Sequence, residues 1–167
     1  MSLNKALLAE LDHEAATTRR LLDRYPEGKA GYQPHPKSMS LARLASHIAE
    51  LPGWAPAILK GESFDIAPPG GAPYQPPTWT SREEILGFFD KNVAIWRQGL
   101  SEATDEELMQ PWTFKKGGET VFTLPRVAVI RSMLFSHWIH HRGQLSVYLR
   151  VCEVPIPSIY GPSADEG

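Results

Sequence analysis

The sequence predicts an all-α protein: an antiparallel four-helix bundle with a small β-hairpin before the last helix. Three observations predict it. Four long segments repeat apolar residues at helical spacing. Capping and breaking residues (Ser40, Thr80, Pro26, Gly61, Pro155) stand where those patterns begin or end. Between the third and fourth segments, "PWTFKKGGETVFTL" alternates around Gly117-Gly118, which reads as a hairpin turn. A length of 167 residues suits one domain, 1–167, with one core.

The first helix is expected over 3–25. Leu3, Leu7, Leu11, Ala15, Thr18, Leu22 and Tyr25 form its inner stripe, and Pro26 ends it. The second follows Ser40, an N-cap residue type, and carries Leu44, His47, Ile48, Leu51, Trp54 and Ile58 inward to Gly61. Pro52 and Pro56 must kink or split it, because each removes a backbone donor and crowds the preceding turn. The third begins at the capping box Thr80-Ser-Arg-Glu83 and runs to about Leu100, with Ile85, Phe89, Val93 and Trp96 inward. A short helical turn opens at a second capping box, Thr104 to Glu107. The fourth long helix starts near Pro125, a favoured first-turn residue, and reaches about Glu153. The loop 61–79 is too long for a plain connector. It reads either as a functional cover or as a crossover strap.

Composition narrows the function classes. Apolar residues at 42% place the chain among ordinary globular proteins. A formal net charge of -2 argues against a nucleic-acid surface, which needs clustered Lys and Arg. No apolar run approaches the roughly 20 residues that span a bilayer. The amphipathic, acidic N-terminus does not read as a signal peptide. The single cysteine, Cys152, excludes an intramolecular disulfide and fits a cytoplasmic location. It is expected to be structural.

The chemistry concentrates in "HWIHHRG", where three of six histidines fall within five positions. On a helix advancing about 100° per residue, His137 and His141 share the apolar stripe with Ile130, Leu134, Leu145 and Tyr148. His140 lies at the stripe's edge and is not expected to join them. Two adjacent core histidines are satisfied either by ordinary acceptors or by a shared metal ion, since burying both unpaired costs several kcal/mol. His47 faces the same core from the second helix and supplies a third nitrogen. His13 and His35 are expected in solvent. Glu50, three residues after His47, reads as a surface glutamate in preference to an acceptor for a ligand N–H. Gln144 is expected to line the pocket or a dimer seam, and Arg142 to pair with an acidic residue or a partner chain. Trp54, Trp96 and Trp138 are expected as core or cavity walls.

"HWIHHRGQLSVYLR", "PHPKSMSLARLASHIAEL" and the tail "VPIPSIYGPSADE" resemble segments of the DinB/YfiT-like superfamily. The likeness extends over nearly the whole chain. It implies a four-helix bundle, commonly a homodimer, with a divalent metal ion on His47, His137 and His141. Zinc or nickel is the first expectation for that ion, with iron or manganese as alternatives. Three neutral imidazoles leave an open position, as catalytic rather than structural sites do. Relatives in that superfamily include thiol S-transferases that use bacillithiol and mycothiol-dependent isomerases. The resemblance therefore implies transfer of a low-molecular-weight thiol onto a small electrophile. A metal-dependent hydrolase or a metal-binding dimer without turnover are the alternatives.

Overall fold

The computed structural model describes residues 2–166, and it is mostly helical. Helix α1 (Leu3–Leu22) buries Leu7, Leu11, Ala15, Thr18 and Leu22. Helix α2 (Leu41–Glu50) starts at Ser40, whose side chain accepts from the Arg43 N–H. The prolines then split the second helix. A 3-10 turn, Leu51–Trp54, leads into the short α3 (Ala55–Lys60).

The broken backbone is satisfied from other elements. Pro52 has no N–H for the carbonyl four residues back, that of Ile48. The Trp138 indole N–H donates to it instead, at 3.0 Å. The Ala49 carbonyl accepts from the Asn92 amide at 2.9 Å, and that of Ala57 from the Trp112 indole at 2.9 Å. Buried carbonyls are rarely left unpaired.

Helix α4 (Arg82–Glu102) is capped by Ser81, which accepts from the Glu84 N–H, and not by Thr80. "TSREE" offers two overlapping N-cap positions, and the later one is used. The Thr104 box forms as expected and opens α5 (Asp105–Met109).

Strands β2 (Pro111–Lys116) and β3 (Glu119–Pro125) make the expected antiparallel hairpin. Gly117 and Gly118 take φ of 66° and 83°, which glycine adopts without strain. The all-α description needs correcting on one point. A third strand, β1 (Ser63–Asp65), pairs in parallel with β2 and gives a sheet of order β1-β2-β3. Its anchor is Asp65, whose carboxylate accepts the N–H groups of Gly117 (3.0 Å) and Gly118 (2.7 Å).

The last long helix is not uniform. It comprises α6 (Arg126–Val129), a π-helical stretch Ile130–Ser136, and α7 (His137–Val151). The long helices pack in the cyclic order α1, α4, α2, α7 around one core. Leu11, Leu44, Ile48, Phe89, Trp96, Phe135, Trp138 and Leu145 are all at most 1% exposed in it. Each such side chain contributes about 1.5–3 kcal/mol by burial. Among the described residues, no helix is long and apolar enough to cross a membrane.

After α7 the chain folds back over α1. The Tyr160 hydroxyl donates to the Glu14 carboxylate at 2.9 Å, and Arg142 bridges Glu14 at 2.5 Å. The acidic partner expected for Arg142 is thus inside the same chain.

Candidate metal centre

Each of the three histidines is placed by its own helix. His47 sits in the last turns of α2, on the stripe that holds Leu44 and Ile48. His137 opens α7 and His141 follows one turn later. Ring centroids lie 5.1 Å apart for His47 and His137, 4.6 Å for His47 and His141, and 4.7 Å for His137 and His141. The Nε2 atoms of His47 and His137 are 3.3 Å apart. One nitrogen from each ring falls within 4.8 Å of the others. His47 and His141 are buried, and His137 is half-buried.

The remaining ring nitrogens are each paired with an acceptor. The His47 Nδ1–H donates to Glu50 Oε1 at 2.7 Å, and the His141 Nδ1–H to Gln144 Oε1 at 2.7 Å. The His137 Nδ1–H donates to the Met133 carbonyl at 3.3 Å. That third bond depends on the π-helical stretch. The backbone N–H of His137 goes to the carbonyls of Ser132, five residues back, and Leu134. It does not take the carbonyl of Met133, four back, which receives the ring. These partners set the tautomer in all three rings and leave each Nε2 without its proton, as a metal ligand requires.

Glu50 corrects the sequence reading. It is 3% exposed, not a surface residue. Helical phase assumed that the flank of α2 faces water, but the segment between α3 and α4 covers that flank. Arg43 donates to the Pro77 carbonyl of that segment (3.1 Å) and to Glu50 Oε1 (3.0 Å). The Trp79 N–H donates to Ser46 Oγ on the same helix (2.8 Å). Gln144 is exposed and does not line the cavity; its side chain holds His141 instead.

His140 is exposed and outside the cluster, although its ring is 5.0 Å from that of His141. His13 and His35 are exposed as expected.

The electrostatics favour the neutral, ligating form. Burial lowers the His137 pKa, and the neighbouring His47 adds to the effect. Burial pushes His141 down to about 4, against the opposing pull of Gln144. Two imidazoles held toward the unprotonated form on α7, with the His47 ring meeting them from α2, fit a divalent metal ion.

A cavity of about 500 Å³ adjoins the cluster, with His137 on its wall. Trp54 stands between them, its ring 6.0 Å from His47 and 5.8 Å from His137. The segment between α3 and α4 contributes Phe64, Ile66 and Tyr74, so it acts as a cover. The sheet contributes Trp112 and Phe114, and α4 contributes Phe88 and Asn92. Asn92 was missed from sequence. Its spacing from Phe89 and Trp96, three and four residues, places it on the inner stripe and is the signal that could have found it.

Comparison with known proteins bears on the fold and the family. YrdA of Bacillus subtilis (strain 168), an uncharacterized protein, is 25% identical over 160 residues, covering 95% of this chain and 89% of YrdA. A DinB-like protein from Bacillus cereus ATCC 10987 has a similar crystal structure, with a TM-score of 0.70 at 25% identity over 93% of this chain and 97% of that one. The DinB-like protein YjoA of Bacillus subtilis shares the fold, with a TM-score of 0.66 at 18% identity over 97% of this chain and 99% of that one. The sequence profile of the DinB superfamily matches residues 10–145, a span that holds all three histidines; the chain belongs to the DinB superfamily.

Proposed function

We propose that His47, His137 and His141 hold a divalent metal ion on an antiparallel four-helix bundle, and that the protein transfers a low-molecular-weight thiol onto a small electrophile. The observation that carries the reading is the cluster itself: three imidazoles, each with its Nδ1 occupied, one of them on the wall of a large cavity. A zinc or nickel ion held there supplies Lewis acidity that lowers the pKa of a coordinated thiol.

Intrinsic acidity favours a thiol over water as nucleophile. A thiol at about 8.5 lies far below water at about 15.7 and needs less help from a base. Glu50, the carboxylate on the cavity wall, has its Oε1 engaged by His47 and Arg43, while its Oε2 is buried without a hydrogen-bond partner. In the transfer, the thiol sulfur bonds to the electrophilic carbon. The leaving group departs with its electron pair, and the thiol proton passes to solvent. No electron is gained or lost overall.

Elemental analysis of tag-free protein never exposed to a nickel column tests the metal. About one ion per chain is expected. His47→Ala, His137→Ala and His141→Ala should lose it, and His140→Ala should keep it. Thiol-dependent consumption of an electrophile such as 1-chloro-2,4-dinitrobenzene should vanish with the metal. Folded wild-type protein that takes up no metal overturns the site. Full metal without turnover across a panel of thiols and electrophiles overturns the transferase.

A further inference from the structure

The cavity beside the histidines has mainly aromatic and apolar walls. Trp54, Phe64, Tyr74, Phe88, Trp112 and Phe114 place six aromatic rings around it. Its volume, about 500 Å³, is that of a site for a small organic molecule, for which roughly 300–1,000 Å³ is usual.

Among the described residues, no lysine or arginine lines it. Arg43 is spent on Glu50 and the Pro77 carbonyl. A carboxylate, phosphate or sulfonate entering the cavity would lose its water and find no counter-charge. The polar groups of the wall supply no compensating charge. The Glu50 carboxylate has its Oε1 engaged by His47 and Arg43, and its Oε2 is buried without a hydrogen-bond partner, so an anion would meet an acceptor there. The Asn92 amide nitrogen is bound to the Ala49 carbonyl. His137, whose Nε2 faces His47, is the member of the histidine cluster on this wall.

We propose that this cavity seats the electrophile, and that the electrophile is an uncharged molecule with an aromatic or similarly flat apolar body, its reacting end toward His137. The word electrophile rests on the transferase reading; the cavity's preference for an uncharged aromatic does not. A thiol co-substrate that carries charge is excluded from the cavity and reaches the histidines from another side.

Calorimetric titration with two probes of one shape tests this. 2-Naphthylmethanol is neutral. Naphthalene-2-sulfonate is an anion and a poor metal ligand. Both are titrated into the protein as purified and after chelator treatment, with metal content measured on the same samples. The alcohol should bind at least about 10-fold more tightly than the sulfonate. Phe64→Asp should weaken the alcohol by about 10-fold by placing a charge on the wall. Phe64 is 39% exposed, so this change spares the core. Ala57→Leu, which narrows the cavity, should also weaken it.

Equal or tighter binding of the sulfonate overturns the inference. So does folded wild-type protein that binds no alcohol, or an affinity unchanged in both variants. Alcohol binding without metal uptake keeps the inference and removes the transferase reading. Metal uptake without alcohol binding does the reverse.

Discussion

Glu50 Oε1 lies 2.7 Å from Nδ1 of His47, three residues back on the same helix, and the pair is buried. A carboxylate in that position fixes the ring and raises the basicity of the opposite nitrogen. Arg43 holds the carboxylate in turn. Glu50→Ala should therefore weaken metal binding by about 10–100-fold without removing a ligand. Gln144→Ala should act in the same direction through His141. Competition against a chromophoric chelator reads both. Wild-type affinity in both variants would show that the ring partners do not tune the site.

The pH dependence of metal-free stability follows from His141. Its folded pKa of about 4 lies below the unfolded value of about 6.5. Between those values the unfolded chain takes up a proton that the folded chain refuses. Stability is therefore complete above about pH 6.5 and falls as the pH drops toward 4. The full shift corresponds to about 3 kcal/mol, at 1.36 kcal/mol per unit. His137, also lowered, adds loss in the same direction. Urea midpoints of metal-free protein at pH 7.5, 6.0 and 5.0 should decline in that order, and His141→Gln should flatten the slope. Stability that is level or rising on acidification contradicts this account.

What the sequence made legible was what depends on helical phase. His47, His137 and His141 each share a stripe with residues that are buried, so their convergence could be read from spacing. Features that depend on a distant segment could not. Glu50 lies off the stripe and is buried only because the chain near Pro77 crosses over it. Strand β1 is three residues long, too short for alternation to register, and exists because β2 offers an edge and Asp65 finds the Gly117-Gly118 turn. The π-helical stretch Ile130–Ser136 contains no proline or glycine to announce it. One local trace is Ser132, whose hydroxyl donates to the Ala128 carbonyl at 2.9 Å and competes with the ordinary helix bond.

Trp138 is predicted to matter for stability through one hydrogen bond as well as its packing. Its indole N–H replaces the donor that Pro52 lacks. Trp138→Phe keeps an aromatic ring but leaves the buried Ile48 carbonyl unpaired. An unsatisfied buried acceptor costs about 1–3 kcal/mol, and the lost volume adds to that. Adding Pro52→Ala restores a backbone N–H and should recover part of the loss. Equilibrium unfolding of the two variants measures it. A double variant no more stable than Trp138→Phe argues against the substitution of one donor for the other.

Arg142, the residue after His141, carries the last prediction. Its side chain is 2% exposed and that of its partner Glu14 is 7% exposed, with 2.5 Å between them. It also donates to the Thr18 hydroxyl (3.1 Å) and bonds Tyr160, whose ring lies under its guanidinium at 4.9 Å. Burying two charges gains little over an apolar pair, but removing one partner strands the other. Glu14→Gln or Arg142→Met should thus each cost about 3–5 kcal/mol. Tyr160→Phe keeps the ring and loses a hydrogen bond to a charged group, so it should cost less, about 1.5–3 kcal/mol. Because Arg142 ties α7 to α1 beside a histidine of the cluster, the same variants should weaken metal binding only as far as they loosen the fold. Denaturation midpoints and metal titration run on one set of samples separate the two effects. A large loss of metal affinity at unchanged stability would place Arg142 in the metal centre itself.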